Sequence, residues 1–383
     1  MLDFIVSSIE LDKAVSDVEK ALGNKKLNQA FGSILIAADK DKQEVKFTTT
    51  NGILRIESVA SANVLVAGET LVEGDLFANY AHKVEGDISI VESENYLTIS
   101  AKGINATLGT FGTDIFPIKQ EDNNEAKFTN ITVSQGEFKQ SIKECLISVS
   151  KEEARPILKG ICIKKSNDEG YLDIVACDGY RLTKRQLEYE SVDSSEDFSA
   201  IVPASNLRII SAFLKDETDS KITLQFIANQ LLSITANDVC ITSNLLAGDY
   251  INYGKIIPQN SPNKTTVKID KLKKAIDLAL TLASQNKTTA ISVTMGATDL
   301  TKTTTISFRA NSARGRSEST VDGVVVYGLE EEFKFGINGQ FLLDVLKTIN
   351  EDEVYIETSK PTLPILVTTA KTLFMILPLR VIG

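Results

Sequence analysis

The sequence predicts an α+β protein of three similar domains, each made of two β-α-β-rich halves. Three observations predict it: a strand running into an amphipathic helix occurs three times, a second strand–helix unit follows each copy in step, and every second unit leads into alternating β-rich sequence.

The first copy is FIVSSIELDKAVSDVEKAL (Phe4 to Leu22), the second ITVSQGEFKQSIKECLISV (Ile131 to Val149) and the third VKIDKLKKAIDLALTLAS (Val267 to Ser284). In each, apolar residues recur at helical spacing and leave one face to bury: Leu11, Ala14, Val15, Val18 and Leu22, then Phe138, Ile142, Cys145, Leu146 and Val149, then Leu272, Ala275, Ile276, Ala279 and Ala283. The opposite faces carry Lys13 and Lys20, Lys139 and Lys143, and Lys271 and Lys274, diluted by Asp12, Asp17, Glu144 and Asp277. The second units begin at Thr70, Ala200 and Phe333, and the alternating stretches after them read as strand pairs. Apolar periodicity stops at QEDNNEAK (Gln120 to Lys127) and PQNSPNKT (Pro258 to Thr265), so the expected domains are 1–126, 127–262 and 263–383.

With 43% hydrophobic and 24% charged residues the chain has enough apolar content for several cores and reads as a soluble globular protein. The amino terminus lacks the basic lead and small-residue cleavage site of a signal peptide, and no run of eighteen apolar residues occurs, so no membrane span is expected. Cys145, Cys162, Cys177 and Cys240 have no C-x-x-C spacing and there is one histidine, His82, which argues against zinc and for reduced, mostly buried thiols in cytoplasm. A net charge of −10 argues at first against nucleic acid, yet total charge does not say where the 41 basic residues sit.

Enzymatic chemistry finds no support in the motifs. Asp178, Tyr180 and Arg181 in ACDGYRLTKR suggest an acid beside an anion site, but the repeat register sets Asp178 beside Asn51 and Asn311, so a turn stabilised by an Asx side chain is the better reading. A single imidazole on a helix surface supplies no nucleophilic triad, and neither a phosphate loop nor a dinucleotide glycine fingerprint is present. Glu152–Glu153 and Asp216–Glu217 lie in polar runs where solvation suffices; no cofactor or metal is expected. At the carboxyl terminus, TLFMILPLRVIG should begin as a buried strand, and Pro378 should stop the ladder so that Leu379 and Arg380 leave the sheet to fold back or line a groove.

RPILKGICI (Arg155 to Ile163), ACDGYRL (Ala176 to Leu182) and the terminal ILPLR (Ile376 to Arg380), together with the FIVSSIELDKAV start, make the whole chain resemble the bacterial sliding clamp family, the β subunit of DNA polymerase III. The resemblance implies a DNA clamp fold in which two chains close head to tail into a six-domain ring, helices lining the hole and sheets outside. That arrangement places lysines inside and the acidic excess outside. It implies a non-enzymatic processivity factor that encircles double-stranded DNA without sequence preference and tethers the DNA polymerase III catalytic subunit, the clamp loader and other clamp-binding-motif proteins. The expected DNA contacts are Lys25 and Lys26 after the first helix, Lys13, Lys20, Lys139, Lys143, Lys271, Lys274 and Arg155.

The family's partner-peptide groove maps onto Leu158, Cys177, Gly179, Tyr180, Arg181 and Leu182, with Ile251 and Ile256, and with Met375, Leu377, Pro378 and Leu379 of the tail. Such a groove buries Leu or Phe side chains of a partner. Removing Met375 to Gly383 is therefore expected to abolish partner binding and leave the dimer. Ile251 replaces a common proline and Tyr180 a frequent histidine, and the chain continues three residues past Arg380, which bears on the groove's shape and peptide preference. A second reading is a clamp paralogue acting as a protein-binding scaffold or drug-resistant duplicate; a third, an enzyme on a repeated α+β fold, requires a bound metal or turnover.

Overall fold

In the computed structural model, residues 2–117, 128–193, 198–227, 230–297 and 301–380 are described. The described residues hold six α-helices, one for each expected strand–helix unit: α1 (Ser8–Val18), α2 (Gly74–Ala81), α3 (Gln135–Leu146), α4 (Ala204–Phe213), α5 (Ile269–Ala283) and α6 (Gly339–Thr348). Local chemistry fixes where they start. Ser7 Oγ accepts from the Glu10 amide at 3.3 Å ahead of α1, and Asn338 Oδ1 accepts from the Gln340 and Phe341 amides at 3.0 and 3.3 Å ahead of α6.

Every ladder described is antiparallel, so each β-α-β half is a strand, a helix and a strand without the parallel crossover that the phrase often denotes. The chain forms two compact units, residues 1–135, 190–195 and 205–245, and residues 136–189, 196–204 and 246–383. In the first, strands run in the order 68–73, 33–39, 44–50, 54–61, 239–244, 231–236, 221–227 and 128–134. A further group, 63–66, 3–7, 87–93, 96–101 and 104–111, completes that unit. In the second, one ladder runs 199–203, 160–165, 171–177, 181–192, 372–376, 365–368, 353–358, 263–268, 315–327, 303–312, 290–295 and 333–338. Sequence patterning showed the strands but not that ladders continue from one repeat into the next.

α1 buries Leu11, Ala14, Val15 and Val18 against strands 44–50 and 54–61, while Leu22 is half-buried. α5 buries Leu272, Ala275, Ile276, Ala279 and Ala283 against strands 303–312 and 315–327. α3 departs from expectation. Phe138, Ile142 and Cys145 are buried, Leu146 and Val149 only partly, and Glu144 is 2% exposed rather than diluting a solvated face. Ser141, Glu144 and Ser148 make a buried polar stripe: Ser148 Oγ lies 2.7 Å from Thr183 Oγ1, and Glu144 Oε2 accepts from Arg185 Nη1 at 2.8 Å and Thr372 Oγ1 at 2.6 Å. Arg185 Nη2 also donates to Glu137 Oε2 at 2.8 Å.

The Asx turns hold at two of three places. Asn51 Oδ1 accepts from the Ile53 and Leu54 amides at 2.9 and 2.8 Å, and Asp178 Oδ1 from the Tyr180 and Arg181 amides, both at 2.9 Å. Gly52 (φ +88°) and Gly179 (φ +93°) supply the positive φ that each turn needs. Asn311 is a correction: it sits inside strand 303–312 opposite Arg316, because the third hairpin turns over two residues, Ala313 and Arg314, and Ser312 Oγ caps the turn. The linker 120–127 lies outside the described residues, and the one expected over 258–265 ends in strand from Asn263. Cys145, Cys162, Cys177 and Cys240 are free thiols, the first three buried. Among the described residues no helix is long and apolar enough to cross a membrane.

Candidate functional site

The cationic candidates lie on two kinds of ground. Lys13, Lys143, Lys271 and Lys274 are exposed on their helices, and Lys139 is half-buried. Lys20 is exposed but engaged: its Nζ donates to Ser16 O at 2.6 Å, lies 3.7 Å from Asp17 and stands 4.7 Å over the Phe213 ring. Lys25 pairs with Glu73 at 2.5 Å, a hydrogen bond that raises its pKa above the usual lysine value. Lys26 is exposed in the next turn position, where Asn24 Oδ1 accepts from its amide at 3.0 Å. Arg155 is exposed, but a Cβ on Gly179 would meet its Nη1 at 3.2 Å, so its guanidinium stands against the Asp178 turn.

That turn organises the apolar candidates. Leu182 and Met375 are ladder partners, Cys177 pairs with Leu182 on one side and Leu366 with Met375 on the other, forming a cross-strand row whose members are all under 7% exposed. Segment 250–257 lies over this row. Tyr250 Oη accepts from the Cys177 amide and Tyr253 Oη donates to Asp173 Oδ2, both at 3.0 Å, and Ile251 packs half-buried against the cluster. Burial pushes the Tyr250 and Tyr253 hydroxyls and the Cys177 thiol up in pKa, so all three stay neutral donors or apolar filler. Beside the segment a cavity of about 770 Å³ is lined by Cys162, Ile251, Tyr253, Ile257, Leu366 and Leu373. It shares only Ile251 with the predicted groove residues.

The predicted groove residues thus divide. Leu158, Cys177, Leu182 and Met375 are interior, 0 to 6% exposed, and reach no partner unaided. Tyr180 (59%), Ile256 (43%), Leu377 (37%) and Leu379 (40%) present apolar surface, with Pro378 half-buried among them. Arg181 is held rather than offered: Nε meets Asp178 Oδ2 and Nη1 meets Asp344 Oδ2, each at 3.0 Å, and the guanidinium lies 4.1 Å from the Phe341 ring centroid. Asp344 and Phe341 of α6 escaped the sequence reading because no local pattern links them to a turn more than 150 residues away.

The tail corrects one expectation. The strand does end at Ile376, but Leu379 does not leave the sheet: after the Leu377 amide donates to Tyr180 O at 2.9 Å, the Leu379 amide donates to Gly336 O at 2.8 Å in an isolated bridge. Two stitches on either side of Pro378 therefore hold the strap 377–379. A Cβ at Gly336 would approach Leu379 O to 2.7 Å, a backbone atom that must move. Gly336→Ala is expected to lift the strap and weaken binding of a hydrophobic peptide several-fold with a smaller loss of stability, read by fluorescence anisotropy beside thermal unfolding.

The first junction repeats the stitch with different chemistry. The Asn244 amide donates to Ile53 O at 2.8 Å, as Leu377 does to Tyr180, with Asn206 Nδ2 donating to Ser243 Oγ at 2.9 Å beside it and Ile53 52% exposed.

Residues 2–119 match the family described as DNA polymerase III beta subunit, N-terminal domain, residues 132–252 the central domain and residues 254–374 the C-terminal domain. The chain is 24% identical over 389 residues to a protein named Beta sliding clamp from Rickettsia bellii (strain RML369-C), covering 100% of each. It is 25% identical over 385 residues to a protein of that name from Streptococcus pneumoniae, covering 97% of this chain and 96% of the other. Among solved structures, the DNA polymerase sliding clamp from Bacillus subtilis superimposes with a TM-score of 0.89 at 21% identity, and DNA polymerase III, beta subunit, from Thermotoga maritima with 0.85 at 18%, each covering 100% of both chains. These structures share the fold.

Proposed function

The chain belongs to the DNA polymerase III beta subunit family, and from that premise we propose a processivity factor: two copies close into a ring around duplex DNA and tether the replicative polymerase. The domains of that reading are 1–126, 127–262 and 263–383. One observation carries the closure. Twice within the chain the strand after an Asx turn pairs with the last strand of the next repeat: 54–61 with 239–244, and 181–192 with 372–376. Two equivalent strands are left over, 315–327 in the third repeat and 104–111 in the first. Residues 315–323 are paired only with 303–312, and 104–109 only with 96–101, among the described residues. A second copy supplies the missing neighbour for each, head to tail, and closes with twofold symmetry.

A closed ring holds DNA by topology, so phosphate contacts from Lys13, Lys20, Lys25, Lys26, Lys139, Lys143, Lys271 and Lys274 stay weak enough to slide and are independent of sequence. Arg155, beside Gly179, fits the rim of the partner groove better than a DNA contact. Tyr180, Ile256, Leu377, Pro378 and Leu379 receive apolar side chains of the polymerase's clamp-binding peptide, of the loader and of other partners, over a floor of Leu158, Cys177, Leu182, Ile251 and Met375. Gly179 and Arg181 shape the turn. The role is non-catalytic and cytoplasmic, and the reading as a scaffold paralogue is tested against it by whether depletion leaves replication intact.

Ile104 and Phe111, each 36% exposed, sit at the two ends of strand 104–111, where Phe111 pairs with Leu71 and residues 104–109 leave one edge open among the described residues. Sedimentation of the protein is expected to give twice the chain mass, and the double change Ile104→Asp, Phe111→Asp a monomer with a near-native melting temperature. A double variant that remains dimeric would place the interface elsewhere.

A further inference from the structure

His82, the one histidine of the chain, stands where two helices of the first unit meet. It follows α2 directly, and its Nδ1 lies 2.6 Å from Asp12 Oδ1 on α1 while its Nε2 lies 3.1 Å from Glu19 Oε2 just beyond α1. A neutral imidazole has one N–H and one lone pair, so one of these two carboxylates would face a lone pair; only the imidazolium donates to both. The geometry alone therefore selects the charged ring. The hydrogen bond to Asp12 is the largest influence, burial opposes it, Glu19 adds to it, and the outcome is a pKa raised from 6.5. The charged groups on the elements packed here are Glu10, Asp12, Lys13 and Asp17 of α1, Glu19 and Lys20 after it, and Glu73, Asp75, Lys83 and Glu85 in or beside α2; of these Asp12 and Glu19 bond the ring, and Glu73 is paired with Lys25. Asp17 is turned away, accepting from Ser58 Oγ at 3.3 Å.

We propose that His82 is a protonation switch for duplex binding: charged, it neutralises part of the acidic charge of the α1–α2 face, and neutral, it leaves Asp12 and Glu19 to oppose phosphate beside Lys13 and Lys20. The inference rests on the reading that this face meets DNA. Loss of the proton changes the triad's net charge from −1 to −2 in each copy, so duplex affinity falls as pH rises. With exposed charges in salt the expected fall is modest, about twofold to fivefold between pH 6.5 and 8.5 at low ionic strength and less at high.

The imidazole resonance of the full-length protein isolates this group, because there is no other. Its NMR titration should have a midpoint above 6.5, brought down by Asp12→Asn. The linkage sign is that of a raised base: the ring's contribution to stability is complete below the unfolded value and disappears as pH climbs through the folded one. The melting temperature of the wild type should therefore drop over that interval more than that of His82→Gln. Duplex affinity, measured on nicked circular DNA at fixed ionic strength, should lose its pH dependence in His82→Gln and in His82→Lys, the second remaining tight at pH 8.5. A midpoint at or below 6.5, or equal pH dependence in wild type and His82→Gln, overturns the switch. Absence of duplex binding at every pH, with the NMR midpoint raised, overturns the DNA-facing reading and the switch's role in binding together, while leaving the titration itself measured.

Discussion

Replacing Arg185 by alanine is expected to destabilise the fold by about 3–5 kcal/mol, the largest single-residue effect foreseen here. Arg185 is 4% exposed and Glu144, its partner at 2.8 Å, is 2% exposed. Taking the guanidinium away leaves a carboxylate in the interior with two neutral donors, Thr372 Oγ1 at 2.6 Å and Gln140 Nε2 at 2.7 Å, and no counter-charge of its own. Glu137 shares the cluster. Burial works to raise its pKa, but Lys371 at 3.1 Å and Arg185 at 2.8 Å outweigh that and hold it below the usual range. Because Arg185 ties α3 to strands 181–192 and 372–376, the loss should appear as a lower denaturation midpoint. The paired change Arg185→Met, Glu144→Leu should recover much of it, since a buried ion pair costs desolvation that an apolar pair avoids. An Arg185→Ala variant within 1 kcal/mol of wild type would show that water or a neighbour replaces the guanidinium.

Cutting the chain after Ile376 should abolish binding of a hydrophobic clamp-binding peptide while the fold and the dimer persist. The strap loses Leu377 and Leu379, 37% and 40% exposed, which a bound peptide would cover. Losing both contacts is worth on the order of 3 kcal/mol, roughly a hundredfold in affinity. The structure amends the expectation for a cut before Met375. Met375 and Ile376 are 3% and 0% exposed and pair with Leu182 and Arg181 on one side and with Leu366 and Ile365 on the other, so removing them destroys part of the ladder as well as the groove. The shorter deletion separates the two effects: calorimetry should show a small shift in melting temperature and titration no measurable peptide binding. Undiminished peptide binding by the shorter chain would remove the strap from the groove.

How much of this was legible in the sequence depends on how far apart the partners stand. The six helices and the strands after them follow from periodicity within short windows, and the Asn51 and Asp178 turns from a single Asx–Gly pair each. Arg185 was within reach. It falls in step with Thr183 and Leu187, the buried side of strand 181–192, where an arginine requires an acidic partner. What periodicity did not supply was the partner, because Ser141, Glu144 and Ser148 repeat at helical spacing as a polar stripe that looks solvated until something polar covers it. The clamping of Arg181 by Asp344 and Phe341, and the return of Leu379 to Gly336, join segments that the chain brings together only through the completed ladder. The register slip at Asn311 has a local cause, a turn two residues long where the other repeats use an Asx loop.

In a ring closed around duplex, retention on DNA comes from closure and not from grip. Loaded onto nicked circular duplex and separated from free protein, the dimer should stay with the circle through gel filtration in moderate salt, then run free once a single restriction cut gives the DNA ends. Protein that remains bound to the linear product, or that leaves the intact circle at the same rate, would contradict it.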